Sequence, residues 1–194
     1  MTKGIQKKLK IGIVKKQDIS ENPVRIVYLG LGSNLGNRVK NLEKAKYLLN
    51  LNNVNIIKTS NFYESSSWPN KNFPKYLNIV IKTRTSHKIS SLFFLIKFIE
   101  KKLGRKKTKK NYPRTCDIDI LDYDKKVKSI NLNNEKITLP HPRLHERNFV
   151  LIPLLEVSKN WIHPNYNKKV SELLLNINNI ELSSIKIAQI NDIN

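Results

Sequence analysis

Arg25-Ile26-Val27-Tyr28-Leu29-Gly30-Leu31, followed at once by Gly32-Ser33-Asn34-Leu35-Gly36-Asn37, decides how the rest of the chain is read. The first seven residues are β-branched and apolar and the next six are turn formers, so a strand runs to Leu31 and a turn begins at Gly32. A helix follows, because Val39, Leu42, Ala45, Leu48 and Leu49 recur at three- and four-residue steps until Asn52 and Asn53 stop it. Val54 to Tyr63 reads as a second strand, followed by the polar loop Ser65 to Pro74. Leu77 to Thr85 reads as a third, with Ile79 and Ile81 on one face. Ser86 or Ser90 is placed to cap a second helix with the stripe Leu92, Leu95, Ile96, Ile99 and Leu103. Gly104 stands where a left-handed terminating residue belongs. Asp117 to Tyr123 is a fourth strand, Lys126 to Leu139 a short hairpin, and Phe149 to Val157 a helix or packed turn. Ser171 would cap a last helix over Leu173, Leu174 and Leu175.

Strand, helix, strand, strand, helix, strand is the order of a ferredoxin-like split βαβ sandwich. That is an α+β fold with helices covering one face of an antiparallel sheet, extended here by a C-terminal hairpin and helices. With 194 residues, 39% hydrophobic and 26% charged, the chain has the size of one globular domain with appendages. Residues 1–23 read as a basic N-terminal extension, with six lysines against Asp18 and Glu21 and a possible strand at Ile11 to Val14. Residues 24–176 read as the domain and 177–194 as a C-terminal tail. No apolar run approaches the roughly 18 residues of a membrane span. The lone Cys116 excludes an internal disulfide framework, and the N-terminus lacks a secretory apolar core, so a cytoplasmic location is expected.

Thirty-six basic and 15 acidic residues leave a net charge of +21, which favours polyanionic partners. Composition offers a simpler reading, since lysine, asparagine and isoleucine make up 78 of the residues, as an A- and T-rich coding sequence would produce. What discriminates is where the charges cluster. In Pro113-Arg114-Thr115-Cys116-Asp117-Ile118-Asp119-Ile120-Leu121, strand alternation puts Asp117 and Asp119 on one face about 7 Å apart, with Cys116, Ile118 and Ile120 on the other. Paired carboxylates suit a hard cation such as Mg²⁺, which takes one or two of them plus substrate phosphates. Taken alone, such a pair is also what a solvated strand face carries. Between Lys101 and Arg114, however, lie eight basic residues and no acid. Metal beside guanidinium and ammonium groups is what a polyphosphate needs, and Arg105 and Arg114 are the strongest members because their forks grip phosphate oxygens in pairs. Gly30 to Gly36 fits neither the Walker nor the dinucleotide fingerprint and reads as a structural turn. His141 and His145 lack the context of a zinc site.

Four segments together, Gly30 to Gly36, Phe73 to Asn78, Pro113 to Ile120 and His141 to Phe149 running into Pro153 and Leu154, resemble the 6-hydroxymethyl-7,8-dihydropterin pyrophosphokinase family of folate synthesis. The resemblance covers roughly residues 24 to 164. It implies transfer of diphosphate from ATP to the pterin alcohol with release of AMP, by a monomer that binds neither nucleic acid nor membrane. By position it implies that Asp117 and Asp119 bind two Mg²⁺ ions and that Arg105 and Arg114 stabilise the phosphates. Tyr76, Asn78 and Phe149 would meet the pterin, Phe149 by stacking on it, with Ser65 and Trp68 completing the pocket through backbone groups. Lys97, Glu100, Arg105, Arg114, Ile120, Lys136, Thr138, His141, His145 and Arg147 would meet the nucleotide. Two departures stand out: Lys97 occupies a glutamine position, and the basic loop lacks the family's tryptophan, with Asn111 or Tyr112 in its region. The chief rival from sequence is an RNA-binding sheet, against which the third strand carries no aromatic and no RNP1-type signature is present.

Overall fold

The structure is a computed structural model that describes residues 23–106, 111–133 and 135–189. Strand β1 (Arg25–Ser33) runs two residues beyond the expected turn at Gly32, because Gly32 and Ser33 still pair with Asn78 and Leu77. Asn37 then caps α1 (Arg38–Leu51) by accepting from the Lys40 N–H at 2.8 Å. The helix stops at Asn52, and Asn53 takes a left-handed φ of 59°.

The expected second strand is two pieces, β2 (Asn55–Thr59) and β3 (Tyr63–Ser65), both antiparallel to β4 (Tyr76–Thr85). At the break, the Ser60 N–H donates to the Val80 carbonyl and Ser60 Oγ accepts from the Val80 N–H, so a side chain keeps the edge attached where the strand kinks. Helix α2 (Ile89–Lys102) begins after Lys88, which makes no side-chain cap, so neither Ser86 nor Ser90 is the cap. Beyond it come β5 (Asp117–Tyr123) and the hairpin β6 (Lys128–Leu132) with β7 (Glu135–Leu139). A single 3-10 turn (Leu144–Glu146) leads into α3 (Asn148–Val157). Helix α4 (Val170–Leu174) starts after Lys169, whose N–H donates to Glu172, so Ser171 lies inside it; Leu173 is buried but Leu175 is exposed. The segment read as a tail holds α5 (Asn179–Ser183) and β8 (Lys186–Ile187), which pairs with β3. The N-terminal extension lies outside the described residues, apart from Pro23.

The sheet order is β5-β1-β4-β3-β8, with β2 beside β3 along β4 and every pairing antiparallel. Helix α1 links β1 to β2 across β4, and α2 links β4 to β5 across β1, which is the split βαβ arrangement. On one face Val27, Leu29, Leu31, Ile79, Ile81, Ile118 and Ile120 pack against Leu42, Leu49, Leu92, Ile96 and Ile99 of these helices. Each such buried side chain contributes about 1.5–3 kcal/mol. The other face is not open, as the sequence had implied. Tyr28, Val80 and Leu121 are covered by Val150, Leu151, Leu154, Trp161, Val170 and Leu173. Helix α3 is apolar enough for this role on its sheet side because Leu154 falls one turn after Val150 and Leu151, on the same face.

Candidate active site

The part of the second face beyond that cover carries the polar residues. Gly32 of β1 pairs with Asp117 of β5 on one side and Asn78 of β4 on the other, and Gly30 pairs with Asp119 and Val80. Neighbouring strands lie about 4.8 Å apart, so Asp117 and Asn78 stand about 10 Å apart across a floor without a side chain. A Cβ at Gly32 would come within 3.1 Å of Asn78 Oδ1 and 3.4 Å of the Tyr76 ring. Strand alternation holds as expected, with Asp117 and Asp119 facing the cleft and Cys116, Ile118 and Ile120 in the core. It ends at a bulge opposite Tyr28 and Leu29, which turns the third acid, Asp122, under Trp161; the Trp161 Nε1–H donates to Asp122 Oδ2 at 2.7 Å.

Arg105 reaches the site through the end of α2. Gly104, at φ 84°, lets its own N–H donate to the Lys101 carbonyl and the Arg105 N–H to the Glu100 carbonyl, a Schellman closure that turns the chain back over the helix. The Arg105 guanidinium then pairs with Glu100 and, at 2.9 Å, with Asp117. Glu100 is 2% exposed, yet its Oε1 also accepts from the Ile118 N–H at 2.8 Å. Arg114 Nη1 meets the same Asp117 oxygen at 3.1 Å, and Arg147 lies 3.5 Å from Asp119 Oδ2. His141 Nε2 stands 4.0 Å from that oxygen.

Packing and then the nearby Asp117 charge push the Asp119 carboxyl up to about 6, against the pull of Arg147, Arg105 and Lys97. Burial likewise raises Glu100, although Arg105 opposes it. Burial would lower Arg105, but Asp117 and Glu100 outweigh it and hold the guanidinium above its usual range. His141 is held down at about 4 by burial and by Arg147 and Arg143, so its imidazole is neutral near pH 7.

This donor set fits a hard divalent cation. Asp117 and Asp119 keep 29% and 41% of their side-chain surface open to the cleft, and the charge repulsion that raises Asp119 is what a cation between them relieves. Among the described residues no cluster of three or more His, Cys, Asp or Glu side chains stands ready to hold a metal, so the remaining ligands would be water and substrate oxygens, as Mg²⁺ prefers.

On the opposite side of Gly32, Asn78 Nδ2 donates to Ser65 Oγ at 2.9 Å and to the Tyr63 carbonyl at 3.4 Å, leaving Oδ1 above the glycine. The half-buried Tyr76 ring lies alongside. Phe149 opens α3 beneath the Arg147 guanidinium, 5.4 Å from its ring centre. Trp68 is 67% exposed, with the Arg143 guanidinium 5.7 Å from its ring centre, so a part in this pocket falls to its backbone and not to its ring. Lys97 joins the acid cluster, 3.8 Å from Glu100, and reaches Glu135 of β7 at 3.2 Å. Thr138 bonds Ser129 across the hairpin and Lys136 is exposed. His145 packs among His163 and Tyr166, and the carboxylate it meets is Glu146, at 3.3 Å, and not Asp117 or Asp119. The Ile120 side chain is in the core; only its backbone, facing the same free edge as the Ile118 N–H, is available to a ligand.

Sequence reasoning missed Asn34, which looked like one more turn residue. It is 2% exposed and joins β1 both to Arg114 and to the loop before β4. Nothing in the local pattern separates it from Asn37, whose side chain only caps a helix.

A sequence model of the family described as 7,8-dihydro-6-hydroxymethylpterin-pyrophosphokinase (HPPK) matches residues 28–159. The 2-amino-4-hydroxy-6-hydroxymethyldihydropteridine pyrophosphokinase of Aquifex aeolicus is 42% identical over 146 residues, covering 75% of this chain and 88% of that one. The folic acid synthesis protein fol1 of Pneumocystis carinii is also 42% identical over 75% of this chain, which spans 19% of that longer protein. In three dimensions, Plasmodium falciparum HPPK-DHPS with pterin and p-hydroxybenzoate superposes with a TM-score of 0.72 at 18% identity, over 88% of this chain and 48% of the other. That likeness supports the fold.

Proposed function

The chain belongs to the 7,8-dihydro-6-hydroxymethylpterin-pyrophosphokinase family, and from that premise we propose how its own residues carry the diphosphate transfer. The reaction moves diphosphate from ATP to the hydroxymethyl group of 6-hydroxymethyl-7,8-dihydropterin and releases AMP. The observation that carries the assignment is the row Asp117, Gly32, Asn78, which sets a cation-binding acid and an amide about 10 Å apart over a bare floor.

Asp117 and Asp119 would hold two Mg²⁺ ions. When bound, the ions neutralise phosphate charge and acidify the attacking alcohol. Arg105 and Arg114, both drawn to Asp117 in the free protein, are placed to turn their forks to phosphate oxygens as charge shifts during transfer. Asp119 is placed to accept the alcohol proton, although an alcohol acidified by the bound ions would not require a dedicated base. Lys97, Glu100, the Ile120 backbone, Lys136, Thr138, His141, His145 and Arg147 would line the nucleotide side. Neutral His141 there acts as a hydrogen-bond partner and not as a cation.

Asn78 has both amide hydrogens engaged by β3, so it offers the pterin an acceptor, Oδ1, which selects a ring N–H. Ser65 acts through its hydroxyl by holding that amide in place. Tyr76 and Phe149 supply the flat apolar walls, and Trp68 would complete the pocket through its backbone. Residues 24–176 form the catalytic unit in this reading. Its single cysteine is buried and unpaired, which suits a reducing cytoplasm, and we take the protein to be a monomer.

The test is a coupled assay with ATP, magnesium and the reduced pterin. Stoichiometric AMP and pterin diphosphate support the assignment, and ADP as the product, or ATP hydrolysis indifferent to the pterin, refutes it.

A further inference from the structure

The segment after α4 passes around the β3 edge from one face of the sheet to the other. Ile177 and Leu182 pack into the core that α3 covers, whereas Ala188 packs with Phe62 against the core that α1 and α2 cover. Between these anchors Ile187 pairs with Tyr63 and Lys186 with Glu64, and the Ala188 N–H donates to the Phe62 carbonyl at 2.9 Å. The row that carries the functional assignment therefore continues beyond Asn78, as Asp117, Gly32, Asn78, Tyr63, Ile187. Strand β3 needs that neighbour. It is three residues long, the kink at Ser60 parts it from β2, and among the described residues only β4 and β8 pair with it. A short strand with an unpaired outer edge frays. Yet β3 supplies both acceptors of the Asn78 amide, Ser65 Oγ and the Tyr63 carbonyl.

A second attachment lies at Asn148, the first residue of α3, between Arg147 and Phe149. Its Nδ2 donates to the Glu181 carbonyl and, at 3.2 Å, to Ser184 Oγ, both at the end of α5. Its Oδ1 accepts from the Phe149 N–H at 2.7 Å. The Ser184 N–H and hydroxyl donate to the same Glu181 carbonyl, so the closing turn of α5 is tied to the opening turn of α3.

We infer that residues 178–188 form a strap, with Asn148 as its positioning residue, that fixes Asn78 and Phe149 from outside the cleft and so sets the affinity for the pterin. The strap lies beyond the catalytic unit and contributes no group to it. It acts on one substrate because of where it is attached: β3 holds the Asn78 amide, and the start of α3 carries Phe149. The phosphate-side residues are held elsewhere. Arg105 closes the end of α2, and Asp117 and Asp119 lie on β5, at the far end of the row. Arg147 adjoins Asn148 but has its own anchors, its N–H on the Leu144 carbonyl and its guanidinium beside Asp119.

The strap's role rests on the functional reading, and two variants test it: the chain ended at Ile177, and Asn148→Asp. Aspartate keeps the acceptor for the Phe149 N–H and places a negative charge where a helix N-terminus favours it, but it loses both donors and sets a carboxylate oxygen against the Glu181 carbonyl. The measurements are the affinity of 6-hydroxymethylpterin, followed by its fluorescence in the presence of magnesium and a methylene-bridged ATP analogue, and the affinity of that analogue alone. Steady-state turnover accompanies them. Pterin affinity and the KM for the reduced pterin should worsen about tenfold in the shortened chain and about threefold or more in Asn148→Asp, the effect of one net hydrogen bond or less on an equilibrium. Nucleotide affinity, and kcat at saturating pterin, should stay within about twofold. Unchanged pterin affinity in folded variants overturns the inference, and so does an equal loss for both ligands, which would make the strap a support of the fold alone. If either variant does not fold, Ala188→Pro decides by the same comparison, since it removes the N–H that meets Phe62. An unaltered chain that does not bind the pterin overturns the functional reading and this inference with it; one that binds it no more tightly than the variants do overturns this inference alone.

Discussion

Gly32 lies in the same cross-strand row as Asn78, and a methyl group added to it would stand 3.1 Å from Asn78 Oδ1, closer than carbon and oxygen normally pack in proteins. Asn78 cannot retreat, because its nitrogen is bonded to Ser65 and Tyr63. Gly32→Ala is therefore expected to raise the KM for the pterin by about tenfold, the effect of a displacement of an ångström or less in a positioning group, while ATP binding alone changes little. Equal loss of both substrates would place the defect in the fold instead.

Asp119 and Asp117 oppose each other in the free protein, and that conflict dictates an unusual sign. Removing the charge of Asp119 takes away a carboxylate whose ionised form the fold disfavours. Asp119→Asn should leave thermal stability without magnesium unchanged or raised, while AMP formation falls by about two to three orders of magnitude. A lowered melting temperature would contradict the opposition of the two acids, and turnover close to normal would contradict the metal assignment.

Glu100 is buried beneath both Arg105 and the β5 backbone. Glu100→Ala strands the Ile118 N–H and removes a counter-charge of Arg105, a loss of about 3–5 kcal/mol by analogy with broken buried pairs. Glu100→Gln keeps an acceptor and should cost about 1 kcal/mol. Urea unfolding of the two variants distinguishes them, and equal costs would mean that the carboxylate charge, which both variants lose, matters at this position and the acceptor for Ile118 does not.

His163 is 2% exposed, its Nδ1 accepts from the Asn165 N–H, and its Nε2 has no protein partner. Burial, with His145 adding to it, holds the ring down at about 4 in the folded chain. The unfolded chain takes up the proton first as pH falls, so the stability this neutral ring contributes is present above about pH 6.5 and is lost progressively toward pH 4. His163→Asn retains the acceptor and cannot titrate. The difference in melting temperature between the two proteins should shrink as pH falls through this window, and a constant difference would show that His163 does not take up the proton.

The helices and most strands were legible in the sequence because their signals are local. The α2 stripe, the Gly104 stop and the alternation through Asp117 and Asp119 each depend on neighbours within one or two turns. Where local signals are weak the reading slipped. Ser60 bonds β4 from inside a kink, and the start of α2 has no side-chain cap to announce it. The C-terminal helices revealed their apolar faces in the sequence, but not which side of the sheet would receive them.

By itself the amino-acid order determined the split βαβ plan and the shared face of the two acids, since chain geometry alone sets a period of two in a strand and 3.6 in a helix. The tertiary structure decided that Asp117 and Asn78 share a row across Gly32, that Glu100 is buried under Ile118, and that Asn34 holds loops on either side of the cleft. Those relations join residues distant in sequence, and strand register, which only packing of the whole sheet settles, brings them within bonding distance.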